Sequence, residues 1–104
     1  MSQSTEHRRA TGTGHDPRVA GLGAAVSRLR RELAGHPRDF ADRGIAEEEL
    51  AALAAMVAEG APEVRRLHRS LLLVAGAVGS VSRLAAALHD VRVAVELFGE
   101  PPAR

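Results

Sequence analysis

The feature that most constrains the fold is an uncharged apolar run, LLLVAGAVGSV, which spans residues 71–81 and lies between Arg69 and Arg83. The two arginines leave a stretch well short of the roughly 20 apolar residues that a membrane-spanning helix requires. The run is therefore expected to be a buried helical segment at the centre of the fold, and no membrane span is expected.

Composition predicts an all-α protein. Ala, Leu and Val dominate the apolar residues, whereas Ile45 is the one isoleucine and Phe40 and Phe98 are the only aromatic residues. Ala and Leu are strong helix formers, and strand-forming aromatic residues are scarce. The 104 residues suit a single domain with a small core, and association is a common way for such chains to gain stability.

The ends of the chain are predicted to be tails around one helical domain, residues 16–99. Residues 1–15 are polar and have no apolar periodicity, so we expect disorder there, no signal peptide and a cytoplasmic location. Residues 100–104 form the second tail. Asp16 and Pro17 provide an N-cap and a first helical residue, which predicts that the first helix begins there.

Apolar residues spaced three and four apart predict three helical segments. The first extends from Pro17 to about Ala34, the second from about Ile45 to Glu59, and the third from Pro62 to about Phe98. The expected buried positions of the first are Val19, Leu22, Val26, Leu29 and Leu33; those of the second are Leu50, Leu53 and Val57; those of the third are Val64, Leu67, Leu71, Val74, Val78, Val81, Leu84, Leu88, Val91, Val95 and Phe98.

The third segment loses its register between Val81 and Leu84, just after Gly79. Either one helix about 55 Å long changes the partner that its apolar stripe faces, or two helices meet at a break near Gly79. We favour the continuous helix, which suits a coiled-coil homodimer, and a break would instead suit an intramolecular bundle. The prediction is a three-helix antiparallel bundle with a long C-terminal helix, or four helices if the break exists.

Small residues in the apolar run predict a close helix approach, because Gly76 and Gly79 would let another backbone come near. The approach could be a self-association surface or an internal crossing with the first or second helix. The candidate crossing or interface residues are Leu71, Val74, Ala75, Gly76, Val78, Gly79 and Ser80.

Arginine clusters could bind anions such as phosphates. The candidate residues are Arg28, Arg31, Arg65, Arg66 and Arg69. Helix 1 carries a charge of +3 and helix 2 a charge of −4, so the two most simply complement each other. The basic stretches also have no aromatic residues for base stacking, which argues against nucleic-acid binding. A small all-α enzyme with an Arg-lined site is a further alternative.

Metal, cofactor and nucleophile chemistry is not expected. The chain has no Cys, and its five histidines include no pair three or four residues apart. Gly21 and Gly23 resemble part of a dinucleotide-binding loop, but an Asp-Pro helix start precedes them instead of a strand. We expect these glycines either to permit close packing near the helix start or to fray it.

Two motifs, LRREL at residues 29–33 and LLLVAG at residues 71–76, resemble those of a family of small uncharacterised actinobacterial helical proteins. The resemblance covers about Pro17 to Gly99 and implies no activity. We therefore expect a non-enzymatic helical interaction protein, either a homodimer associating through its C-terminal helix or a binder of another helical protein.

Overall fold

A computed structural model describes residues 16–100, which form four α-helices. The helices are α1 (Pro17–Ala34), α2 (Arg43–Glu59), α3 (Val64–Val78) and α4 (Ala85–Glu96), and a 3-10 turn (Ser82–Leu84) precedes α4. The all-α prediction is confirmed. The predicted tail of residues 1–15, and residues 101–104 of the second tail, lie outside the described range.

Helix ends follow the local signals in the sequence. The Asp16 side chain accepts a hydrogen bond of 2.9 Å from the backbone N–H of Arg18, and Pro17 takes the first turn. Helix α2 begins at Arg43, two residues before the predicted start, and ends at Glu59, followed by the cap residue Gly60, whose φ of 80° is left-handed. Glycine adopts that conformation without the steric cost that other residues meet.

The third predicted helix is broken, so the continuous helix that we favoured is wrong. Helix α3 ends at Val78, Val81 is extended, and the 3-10 turn leads into α4. The loss of register explains the break. If the helix continued past Gly79, the apolar residues from Leu84 onward would face away from those of α3. The chain instead reverses direction after α3, which buries Leu84 and Leu88 in the same core as the apolar residues of α3.

Each helix contacts its two neighbours in a ring ordered α1, α2, α3, α4, so α1 lies diagonally opposite α3. Contacts near both ends of α1 show that it is antiparallel to α4. The guanidinium carbon of Arg18 lies 4.9 Å from the centroid of the Phe98 ring, and Arg28, further along α1, pairs with Asp90, which is earlier in α4. The fold is thus an antiparallel bundle with short connections.

The core forms where the four apolar stripes meet. All five predicted positions of α1 are buried, as are most of those predicted further along the chain. The predicted positions Val57, Val64, Val81 and Phe98 are only partly buried. Within residues 16–100, no helix is long and apolar enough to cross a membrane.

Candidate interaction surfaces

Helix α3 exposes large apolar side chains on the side that faces away from the core. Its inner side buries Leu71, Val74 and Val78, whereas Leu72 is 73% exposed and Leu73 is 39% exposed. An isolated exposed leucine needs no explanation, but adjacent exposed leucines on a small domain mark a candidate binding surface. The apolar run therefore supplies both core and surface.

Ile45 extends this apolar surface onto α2. The hydroxyl of Ser70 donates a hydrogen bond of 2.9 Å to Glu49 Oε1, which fixes the register between α2 and the antiparallel α3. Ile45 lies about one turn before Glu49 on α2, and Leu73 lies about one turn after Ser70 on α3. Because the two helices are antiparallel, both steps run in the same direction, so Ile45 and Leu73 lie at the same level along the bundle. Ile45, Leu72, Leu73 and the exposed Gly76 are called the α2/α3 face below.

Leu72 and Leu73 are not among the surface residues predicted from the sequence, because that prediction rests only on the buried stripe. Both residues fall outside the spacing that joins Leu67, Leu71 and Val74, so they belong to the opposite, normally polar, side of the helix. Leucines at polar-face positions were the signal that could have identified this surface.

Of the two alternatives for Gly76, Gly79 and Ser80, the structure speaks against the internal helix crossing and leaves self-association as a proposal. All three residues are exposed, and a Cβ placed on Gly76 would have no neighbouring atom within 4 Å. At Gly79 the close neighbour is the chain itself, because a Cβ there would lie 2.5 Å from the carbonyl oxygen of Ala75. Of the other candidates, Leu71, Val74 and Val78 are buried in the core and Ala75 is partly buried.

The close approach between helices occurs instead at Gly23 of α1. A Cβ at this position would lie 3.1 Å from Cγ1 of Val57 in α2, tighter than an ordinary van der Waals contact. The expectation that a glycine near the start of helix 1 permits close packing is therefore confirmed for Gly23. A Cβ on Gly21 would meet nothing within 4 Å.

The two groups of candidate anion-binding arginines lie on diagonally opposite helices. Arg28 and Arg31 are on α1, whereas the others are on α3, and the bundle does not bring the two groups together. Arg28 already pairs with Glu32 at 2.9 Å and with Asp90. The hydrogen bond to Glu32, and then the charge of Asp90, hold the pKa of Arg28 above its ordinary value.

The three arginines of α3 remain available to a partner. Arg65, Arg66 and Arg69 are exposed, and within residues 16–100 none of them forms an ion pair. Residues 16–100 contain 11 Arg and 12 Asp or Glu, a formal charge of −1. The basic patch is therefore local, because the described part of the chain has no overall positive charge.

A second apolar surface is an open groove of about 570 Å³ between α1 and α4. Its floor on α1 is made of small residues, whereas α4 contributes the exposed Val93 and Leu97. The Arg28–Asp90 ion pair lies at one end of the groove. The full lining is Gly21, Ala24, Ala25, Arg28, His89, Asp90, Val93, Ala94 and Leu97.

No metal-binding cluster of side chains lies within the described range. No Arg between residues 16 and 100 is buried, and no group of three His, Asp or Glu in this range could hold a metal ion. His68 contributes to the fold instead, because its Nε2 lies 2.8 Å from the carbonyl oxygen of Gly99 and links α3 to the turn after α4.

Fold and surfaces together define a small antiparallel four-helix bundle with an apolar face on α2 and α3. The family model that matches the chain covers residues 11–99 and describes a family of unknown function, DUF5955. The chain belongs to this family. No curated protein and no solved structure matches it.

Proposed function

We propose that the protein is a non-enzymatic helical interaction protein that forms a homodimer through the α2/α3 face. The observation that carries this proposal is the exposure of two adjacent leucines, Leu72 and Leu73, on a helix whose other side is buried. Of this face, Leu72, Leu73 and Gly76 lie in the first half of the segment predicted as one C-terminal helix, whereas Ile45 lies on α2. The cytoplasmic location stays an expectation from the sequence.

The energetics of small domains support an apolar interface at this position. Burying a leucine side chain contributes about 1.5–3 kcal/mol relative to leaving it in water. A bundle of this size has a thin margin of stability, so the exposed Leu72 and Leu73 offer a substantial gain upon association. Gly76, with open space around its Cα, lets a partner helix come close beside the leucines.

We do not propose nucleic-acid binding or an Arg-lined active site. The candidate anion-binding arginines are split between the diagonal helices α1 and α3, and residues 16–100 have a formal charge of −1. Neither a broad basic surface nor a converging site therefore supports those functions. If the alternative of nucleic-acid binding holds, the protein will be retained on heparin at low salt and released by moderate salt. We expect it to flow through.

The test is light scattering of the full chain over a concentration series. We expect the mass to rise from that of an 11.0 kDa monomer to that of a dimer. Leu72→Glu places a charge on the α2/α3 face and should leave a folded monomer. A strict monomer at high concentration, or a dimer indifferent to Leu72→Glu, would contradict the proposal.

Leu97→Glu is the matched control, because Leu97 is 60% exposed on α4 in the other apolar groove. It should leave the dimer intact. Loss of the dimer with Leu97→Glu alone would move the interface to the α1/α4 groove and overturn the assignment to α2 and α3. Helical circular dichroism of both variants checks that each is folded.

A further inference from the structure

Charge is divided between the two helices that bound the α2/α3 face. On α3 the exposed residues beside the leucines are basic, namely Arg65, Arg66 and Arg69. On α2 the exposed Glu48 and Glu59 are acidic, whereas Glu47 pairs with Arg43 and lines the groove between α1 and α2. One side of this surface is therefore positive and the other is negative. A surface of this kind is complementary to a copy of itself.

The register between α2 and α3 places an acidic residue of α2 and a basic residue of α3 at nearly the same level along the bundle. Glu48 precedes Glu49 and Arg69 precedes Ser70, and Glu49 and Ser70 are joined by a hydrogen bond. Because the helices are antiparallel and rise 1.5 Å per residue, Glu48 and Arg69 are about 3 Å apart along the bundle axis. No ion pair joins them within the described part of the chain.

A two-fold axis parallel to the helices keeps these levels and exchanges the two sides of the face. It places α3 of one copy against α2 of the other. The dimer then contains two equivalent contacts, each between Arg69 of one copy and Glu48 of the other. Pairing α3 with α3 would give the arginines no opposite charge across the interface.

We infer that the α2/α3 face recognises a second copy of this chain through α3-on-α2 pairing, with Arg69 of each copy bound to Glu48 of the other. This inference rests on the proposed self-association and specifies its geometry. It assigns the arginines of α3 to partner selection and orientation, while the leucines supply most of the buried apolar area.

A charge swap tests the pairing. Arg69→Glu and Glu48→Arg should each weaken the homodimer by roughly tenfold or more, because each places like charges opposite each other twice. An equimolar mixture of the two variants should recover the wild-type dissociation constant, since every such contact in the mixed dimer again joins opposite charges. The double variant carrying both substitutions should recover a homodimer.

Arg92→Glu is the control, because Arg92 is an exposed arginine on α4 outside the face. It should leave the dissociation constant unchanged, and its mixed dimer with Glu48→Arg should not reach the wild-type affinity. If Leu72→Glu abolishes the dimer but the mixture of Arg69→Glu and Glu48→Arg shows no recovery, self-association stands and the α3-on-α2 pairing is wrong. If the wild-type chain is a monomer throughout, both proposals fail.

Discussion

Arg43, the first residue of α2, donates a hydrogen bond of 2.5 Å from Nη2 to the carbonyl oxygen of Leu33 in the last turn of α1. Its Nη1 donates to the carbonyl oxygens of His36 and Arg38, at 3.1 and 3.0 Å, within the connection between the two helices. One guanidinium thus provides partners for a carbonyl at the end of α1 and two in the following loop. It holds the α1–α2 connection in place.

Arg43→Ala should therefore destabilise the fold by about 2 kcal/mol, because three carbonyl groups lose a charged donor. Arg43→Lys should recover little of this, since one ammonium lacks the planar fork that reaches several acceptors. Urea unfolding provides the measurement. The control is Arg38→Ala, which removes another arginine of the same loop but keeps its carbonyl; equal losses in the two alanine variants would contradict the role given to Arg43.

The two glycines of α1 should respond differently to alanine. Gly21 is exposed with open space around its Cα, so Gly21→Ala should raise stability by up to about 1 kcal/mol through helix propensity. Gly23→Ala adds a methyl group 3.1 Å from Val57 Cγ1 and should gain less or lose stability. Thermal unfolding of the pair compares identical chemical changes, and equal gains would show that α2 does not crowd Gly23.

Gly79→Ala should destabilise the monomer by about 1–2 kcal/mol, because the new Cβ would lie 2.5 Å from the carbonyl oxygen of Ala75. The cause is the tight end of α3 and not an approaching helix. Gly76→Ala, one turn earlier and free of such a contact, is the control and should not lower the free energy of unfolding. Chemical denaturation at a concentration where the protein is monomeric separates this effect from association.

Local sequence signals predicted both ends of α1 but only the approximate position of the chain reversal after α3. Asp16, Pro17 and Gly35 located both ends of α1, because a cap acceptor, a proline and a terminal glycine act within a single turn. The register loss before Leu84 indicated a change near Gly79. The register loss did not decide between a continuous helix that changes its partner and a helix that breaks. That choice depends on which core the apolar residues from Leu84 onward join.

Contacts between distant residues were not predictable from spacing. The opposite charges of helices 1 and 2 suggested that those two helices complement each other. Among residues 16–100, however, the ion pair between helices joins Arg28 of α1 to Asp90 of α4. The ring order decides which charges meet, and that order depends on the reversal after α3. The exposure of Leu72 was missed for a related reason, because an apolar side chain was assumed to be buried.

The cap of α1 makes stability depend on pH through Asp16. Hydrogen bonds from the Arg18 side chain and backbone hold the pKa of Asp16 below its ordinary value of 3.8. Because this pKa is lower in the folded chain than in the unfolded chain, the contribution is fully present well above pH 3.8. It is lost as the pH falls through the lowered folded pKa.

Asp16→Asn isolates that contribution, because asparagine also caps helices but carries no charge. At neutral pH the wild type should melt at a higher temperature than the variant, since only the aspartate pairs with the Arg18 guanidinium, at 2.7 Å. The difference in melting temperature should shrink as the pH falls below 3.8, while the other carboxylates, common to both proteins, largely cancel. A difference that stays constant down to the acid limit would show that the Asp16 charge does not stabilise α1.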